Sequence, residues 1–250
     1  MLRAILNDGV SGSSLLLKKA LDWLGFLLES GSPVPEGALE QLLKVHSGMA
    51  CFYHLRRFFT DNDLSESSLI EFHRRIELEE KKTLEWFRAA FLKEISEVAV
   101  YSNSSMVKKA LAVLNRPLKV DVALCAPEEE GKAMAQSLST IPAISPRLYA
   151  DGPYFSRVPS VSAIILGCDA ISPGWFVNRS GTRSVVRLAA SVGIPVFVVP
   201  GPLKRLSDVE LLNMPLKQGE APCNLNPEAV EWENPLLEFI RRESIVISAE

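Results

Sequence analysis

The chain has 250 residues, of which 47% are hydrophobic and 23% are charged, enough to bury a sizeable core in one or two domains. Its formal net charge of -3 provides no basic footprint for direct nucleic-acid binding. We recognise no signal peptide and no apolar run near the roughly 20 residues of a membrane span, so we expect no membrane association. The four cysteines, at 51, 125, 168 and 223, lack metal-ligand spacing, which indicates free thiols in the cytoplasm.

The first part of the chain has helical periodicity. Ser11 to Ser14 precede a stripe of leucine and alanine at helical spacing, and we interpret these serines as an N-terminal cap. A further helix is predicted from Pro35 to about Lys44. One long helix is predicted from Leu64 to Ile95, apolar on one face and charged on the other. Residues 1–95 are therefore predicted to form a helical N-terminal domain.

Beyond Glu97 the pattern changes to alternating strands and helices. Short apolar, β-branched runs at 98–101 and 161–166 are typical of buried parallel strands, and helical periodicity follows the first of them. Ser180, Gly181 and Thr182 start a further helix, which leads to a strand at 194–199. This alternation predicts a Rossmann-like parallel α/β domain over residues 96–250, with right-handed crossovers.

Polar side chains follow the predicted strands where a ligand is expected. In an open parallel sheet, ligands lie beyond the carboxyl ends of the strands. Hydroxyl groups, cations and backbone N–H groups at helix starts together suit a phosphorylated small molecule. We expect neither a metal nor a cofactor. The residues concerned are Ser102, Ser104, Ser105, Asn178, Arg179 and Lys204 as ligand-binding groups and Asp169 as a tentative catalytic group.

The segment GCDAISPGWFVNRSGT, at 167–182, resembles the G-A-D-A-I, N-G and N-K-x-G-T pattern of one protein family. That family holds the alpha, beta and delta subunits of initiation factor 2B and the isomerases of methylthioribose-1-phosphate and ribose-1,5-bisphosphate. The resemblance extends over nearly the whole chain and implies a sugar phosphate or nucleotide ligand. It also implies a homodimer formed through the C-terminal domain, for which the apolar segments around 175–176 and 197–202 are expected to supply surface.

Several positions depart from the isomerases. Ser102 stands where they carry a catalytic cysteine, and Ser11 stands where they carry the arginine of an R-G-A motif. His46 also replaces an arginine, and we interpret it as an ordinary partly buried histidine, with ligand contact as the alternative. Asp169 matches the aspartate that acts as the acid-base partner in the isomerases.

Two functions remain open at this point. One is a non-catalytic binding module of the initiation-factor-2B alpha type, in which the ligand adjusts a dimeric assembly. The other is a phosphosugar isomerase with an altered acid-base pair. The serine at 102 favours the first, because its hydroxyl is a far weaker acid than a thiol with a pKa of about 8.5. A dehydrogenase is disfavoured, since no G-x-G-x-x-G follows any predicted strand.

Overall fold

The structure, a computed structural model, describes residues 1–8, 12–216, 219, 231, 233–242 and 246–248. Ser11 and Cys223, both named above, lie outside the described residues. The predicted fold class is confirmed, because a helical N-terminal region precedes a Rossmann-like parallel sheet with helices around it. The helical region consists of α1 (Leu2–Leu6), α2 (Ser13–Glu29), α3 (Ala38–Val45), α4 (Ala50–Asp61) and α5 (Glu66–Ala90).

The longest helix, α5, has a capped start and a buried end. Ser65 and Ser68 form a reciprocal capping box, with each hydroxyl accepting a hydrogen bond from the other residue's N–H, at 3.1 and 2.9 Å. The helix ends at Ala90, short of the predicted Ile95. Phe91 and Ile95 leave the helical path and are buried against the sheet. Their burial joins the helical region to the core of the α/β region.

Helix α2 begins without the predicted serine cap. Gly12 is its N-cap residue, and no side chain makes a capping hydrogen bond. The interpretation as an N-cap is therefore wrong for the serines that the structure describes. Ser13 is buried, and its hydroxyl contacts Lys204 and Asp169 instead. This contact brings the start of α2 to the predicted site.

The main sheet has six parallel strands in the order β3-β2-β1-β4-β7-β9. The strand order reverses between β1 and β4, which is the topological switch point where ligands of doubly wound sheets bind. Its strands are β1 (Glu97–Tyr101), β2 (Leu118–Ala123), β3 (Ile144–Tyr149), β4 (Ala163–Leu166), β7 (Val196–Val198) and β9 (Val246–Ser248). The helices that accompany it are α6 (Ser105–Leu114), α7 (Gly131–Ser139), α8 (Asp151–Arg157), α9 (Thr182–Val192) and α10 (Asp208–Leu212).

A second, antiparallel sheet was not predicted. It consists of β5 (Ala170–Ile171), β6 (Trp175–Arg179) and β8 (Leu237–Arg241), in that order. The segment between β4 and α9 thus forms a short hairpin whose second strand pairs with β8. This pairing gives the residues on β6 fixed positions beside the switch point.

The main sheet is covered on both faces. On one face, Met106 and Leu111 of α6 and Met134 of α7 pack with Phe87 of α5. On the other face, the apolar side of α9 packs with Tyr154 of α8. Burial on both faces explains why the central strands β1, β4 and β7 are nearly continuous apolar runs.

The segments that were expected to supply the dimer surface are largely buried within the fold. Phe176 and Phe197 are buried in the core, so the expectation that they offer surface is wrong. Trp175 is only half-buried and packs near Val177 and Leu211. Among the residues described, no helix has the length and hydropathy that crossing a bilayer requires.

Candidate functional site

The carboxyl ends of the parallel strands bring the predicted polar residues to one edge of the sheet. Ser102 follows β1, Asp169 follows β4 and Lys204 follows β7. The loop that carries Lys204 is attached to α5, because the N–H of Leu203 donates to Oε2 of Glu79 at 2.7 Å. The site therefore lies between the helical region and the sheet.

Lys204, Asp169 and Ser13 form a buried polar group. Nζ of Lys204 lies 3.5 Å from Oδ1 of Asp169 and donates a hydrogen bond to Oγ of Ser13. The Ser13 hydroxyl in turn lies 3.5 Å from the same Asp169 oxygen. Only 4% of the Lys204 surface is exposed, against 26% of the Asp169 side chain. The carboxylate proposed as a catalytic group is therefore paired with a cation.

Two helix N-termini meet beside this group. Oγ of Ser14 in α2 lies 3.4 Å from Oγ of Ser105 in α6. Both serines line a cleft of about 650 Å³ that runs along α5, with Lys204 in its wall. Leucine, isoleucine and methionine side chains form much of the remaining wall. The residues lining the cleft include Leu17, Lys18, Leu21, Ile76, Glu77, Glu80, Lys81, Leu84, Met106 and Lys109.

Arg179 is paired with two glutamates that were not among the predicted site residues. Nη2 of Arg179 donates to Oε2 of Glu128, and Nε lies 4.0 Å from Oε1 of Glu130. The same Glu130 oxygen accepts a hydrogen bond from the hydroxyl of Ser102. Ser102 reaches this position with a left-handed backbone, φ 73°. Its hydroxyl, the Glu130 carboxylate and the Arg179 guanidinium thus form a continuous hydrogen-bonded and ionic chain.

Comparison with known proteins identifies the family. The chain matches the Initiation factor 2 subunit family, IF-2B, over residues 55–213. The protein belongs to this family. No curated protein matches the chain.

Solved structures of initiation factor 2B subunits and of an isomerase share the fold. The Pyrococcus horikoshii translation initiation factor eIF-2B is 24% identical with a TM-score of 0.78, covering 96% of this chain and 89% of its own. Methylthioribose-1-phosphate isomerase from the same organism is 19% identical with a TM-score of 0.70, covering 96% and 79%. A chain of the tetrameric eIF2B-beta2-delta2 complex from Chaetomium thermophilum is 20% identical with a TM-score of 0.62, covering 82% and 77%.

The loop after β2 is held firmly in this member of the IF-2B family. The carboxylate of Asp151 accepts hydrogen bonds from the N–H groups of Cys125 and Ala126, each at 2.8 Å. Gly131 lets the start of α7 approach β2, because a Cβ there would lie 1.8 Å from the carbonyl oxygen of Ala123. These contacts fix the turn that carries both glutamates.

A thiol does lie close to Ser102, but it is not an acid at neutral pH. Sγ of Cys125 accepts a hydrogen bond from the N–H of Ser102 at 3.3 Å. Burial raises the pKa of Cys125 to about 12, and the nearby Glu130 carboxylate adds to the increase. The Cys125 thiol therefore stays protonated near neutral pH.

Three other predicted positions have structural contacts. Oγ of Ser104 caps α6 by accepting from the N–H of Val107 at 3.3 Å. Nδ2 of Asn178 donates to Oγ1 of Thr182 at 3.0 Å, at the start of α9. His46 is buried, stacks on Phe52 with 5.0 Å between ring centroids, and lies 3.0 Å from a backbone carbonyl oxygen of α1. Within the described part of the chain, no cluster of His, Cys, Asp and Glu has the arrangement of a metal site.

Proposed function

We propose that the protein binds a phosphorylated sugar or nucleotide in the cleft between the helical region and the sheet, without the isomerase reaction named for one of its structural relatives. The observation that supports binding is the meeting of the N-termini of α2 and α6 beside Lys204. Unpaired N–H groups and the positive end of the macrodipole make a helix N-terminus favourable for anions.

Lys204 has a remaining donor for such an anion. An ammonium group carries three N–H bonds. Within the part of the chain that the structure describes, Ser13 and Asp169 accept two of them. A phosphate oxygen near Ser14 and Ser105 is therefore suited to the third.

The environment of Ser102 supports binding without isomerisation. Its hydroxyl is committed to the Glu130 carboxylate, and the adjacent Cys125 remains a neutral thiol because its pKa is raised to about 12. The carboxylate of Asp169 is paired with Lys204. The cysteine and aspartate pair of the family's isomerases therefore has no equivalent pair of proton-transfer groups at these positions.

The second candidate is an isomerase with a different base. The hydrogen bond from Ser102 to Glu130 brings a carboxylate beside the position that the resemblance assigns to the catalytic cysteine of the isomerases. Carboxylates act as general bases in aldose-ketose isomerisation, as in triosephosphate isomerase. Turnover of ribose-1,5-bisphosphate or methylthioribose-1-phosphate by the unmodified protein, followed by ¹H NMR, would favour this candidate over the binding module.

Binding is tested by isothermal titration calorimetry with ribose 5-phosphate and AMP, using ribose and adenosine as unphosphorylated controls. The informative variants are Ser105→Asp and its neutral isostere Ser105→Asn, because Ser105 is exposed and a carboxylate at a helix start leaves the helix intact. We expect Ser105→Asp to weaken binding of the phosphorylated compound at least about tenfold, and Ser105→Asn to have little effect. Equal affinity of the two variants, or no binding of any phosphate by the unmodified protein, contradicts the proposal.

We also propose that the chain forms a homodimer. The support is that one relative is described as a tetrameric complex of beta and delta subunits. The chain exposes apolar side chains at both edges of the main sheet, Leu148 on β3 and Ile247 on β9, and either edge offers surface to bury. Sedimentation velocity at micromolar concentration should show a dimer, and a monomer alone would count against it.

A further inference from the structure

We propose that Glu128 makes this site selective for ligands with a single phosphate group, an inference that rests on the binding function proposed above. Arg179 is the second cation that the sequence analysis assigned to phosphate. Its guanidinium is instead occupied by Glu128 and approached by Glu130. Among the residues that the structure describes, a second phosphate therefore meets no free cation at Arg179.

The charge around Ser102 is negative overall. Three carboxylates lie here. Those of Glu128 and Glu130 pair with Arg179, and Glu130 also accepts from Ser102, whereas that of Asp151 accepts from the N–H of Cys125. Among the described residues, Arg179 is the one cation in these contacts. A second phosphate would bring further negative charge to this end of the site. The hydroxyl groups of a sugar, in contrast, can donate hydrogen bonds to these carboxylates.

Backbone contacts fix the position of the turn that carries Glu128. Asp151 fixes the N–H groups of the loop, and Gly131 seats the start of α7 against β2. The N–H of Gly131 also donates to the carbonyl oxygen of Leu124 at 3.1 Å. Glu128 therefore projects from a constrained turn. Its side chain is 37% exposed, whereas that of its partner Arg179 is 10% exposed. A competing phosphate would have to displace a charged hydrogen bond and leave Glu128 without its partner.

The two ends of the site are close enough for one small ligand. Ser102 and Ser105 are three residues apart in the chain, so their Cα atoms are separated by at most about 11 Å. We place the phosphate at Ser14, Ser105 and Lys204, which line the cleft, and the rest of the sugar towards Ser102 and Glu130, which are not among the residues lining it. The ligand class that fits both ends is a monophosphorylated sugar with free hydroxyl groups.

The test compares ribose 5-phosphate with ribose-1,5-bisphosphate by isothermal titration calorimetry. The unmodified protein should bind the monophosphate at least about tenfold more tightly, because like charges oppose the second phosphate. Glu128→Gln should reduce or reverse that preference by about tenfold, since it removes the negative charge beside the Arg179 guanidinium without changing side-chain size. The matched control is Glu129→Gln, whose exposed carboxylate pairs with Lys132 and should leave the preference unchanged.

The outcomes separate the two proposals. Equal affinity for the two compounds, or the same preference in Glu128→Gln and Glu129→Gln, overturns the selectivity and leaves the binding function intact. Failure of the unmodified protein to bind either compound overturns both. Glu128→Ala, which removes the same carboxylate, should reproduce the Glu128→Gln result, with circular dichroism confirming that both variants are folded.

Discussion

Nζ of Lys204 lies 3.5 Å from Oδ1 of Asp169, where the helical region meets the carboxyl edge of the sheet. Lys204→Met should destabilise the protein by about 2 to 3 kcal/mol, because it leaves the carboxylate without its cation. The value is below the roughly 3–5 kcal/mol for fully buried pairs, since Asp169 is partly exposed. The measurement is urea unfolding followed by circular dichroism.

The double variant Lys204→Met with Asp169→Asn separates pairing from simple loss of a side chain. Removing both charges should recover at least about 1 kcal/mol relative to the sum of the single changes. Free energies of unfolding that add within about 0.5 kcal/mol would show that the pair contributes nothing.

Ser102→Cys restores the thiol of the family's isomerases in this chain. We expect no isomerase activity, because Arg179 remains occupied by Glu128 and Asp169 remains paired with Lys204. Conversion of methylthioribose-1-phosphate is followed by ¹H NMR, with Ser105→Cys as a control thiol elsewhere in the site. Activity in Ser102→Cys and not in Ser105→Cys would contradict this expectation.

An ionic network around the buried Asp121 carboxylate should contribute to stability. It joins β1, β2, β3 and α8, and its two arginines are partly exposed. The fully buried Asp121 accepts hydrogen bonds from Nε of Arg147 at 2.6 Å and Nε of Arg157 at 3.0 Å. Arg157→Met should therefore cost about 1.5 to 3 kcal/mol in the free energy of unfolding. The control is Arg75→Met, whose exposed i,i+4 pair with Glu79 is worth about 0.3–0.5 kcal/mol. Similar losses in the two variants would argue against a special role for the network.

The buried cysteines should resist alkylation in the folded protein. Burial raises the pKa of Cys51 to about 11 and that of Cys125 to about 12. At pH 8 both groups are neutral, and the thiolate is the reactive species. Iodoacetamide should leave both unmodified at pH 8 in the native state and modify both after unfolding in guanidinium, as measured by peptide mass spectrometry. Rapid labelling of native Cys125 would mean that the loop after β2 opens.

Much of the architecture follows from periodicity alone. Apolar runs of four to six residues between helical segments indicate a parallel sheet, and the carboxyl ends of such strands must share an edge. This is sufficient to bring Ser102, Asp169 and Lys204 into one region of the molecule. The end of α5 was harder to predict from the sequence, because the turn at Phe91 depends on burial against residues distant in the chain.

The pairing of charges was not predictable in this way. Arg179 contacts Glu128, and no sequence spacing specifies which carboxylate a distant guanidinium meets. The hairpin of β5 and β6 was missed for a related reason. Strand β5 has two residues, and the outer partner of β6 lies far along the chain, so local alternation carries little signal.

The pairing of β6 with β8 has a consequence for synthesis. Asn178 and Arg179 lie opposite Glu238 and Leu237, which leave the ribosome long after β6 does. Chains are extended at about 5–20 residues per second, so β6 has one unpaired edge for several seconds during translation. Until then its N–H and C=O groups can pair with other nascent chains. A nascent chain arrested before Leu237 should therefore be more prone to aggregation than the finished protein.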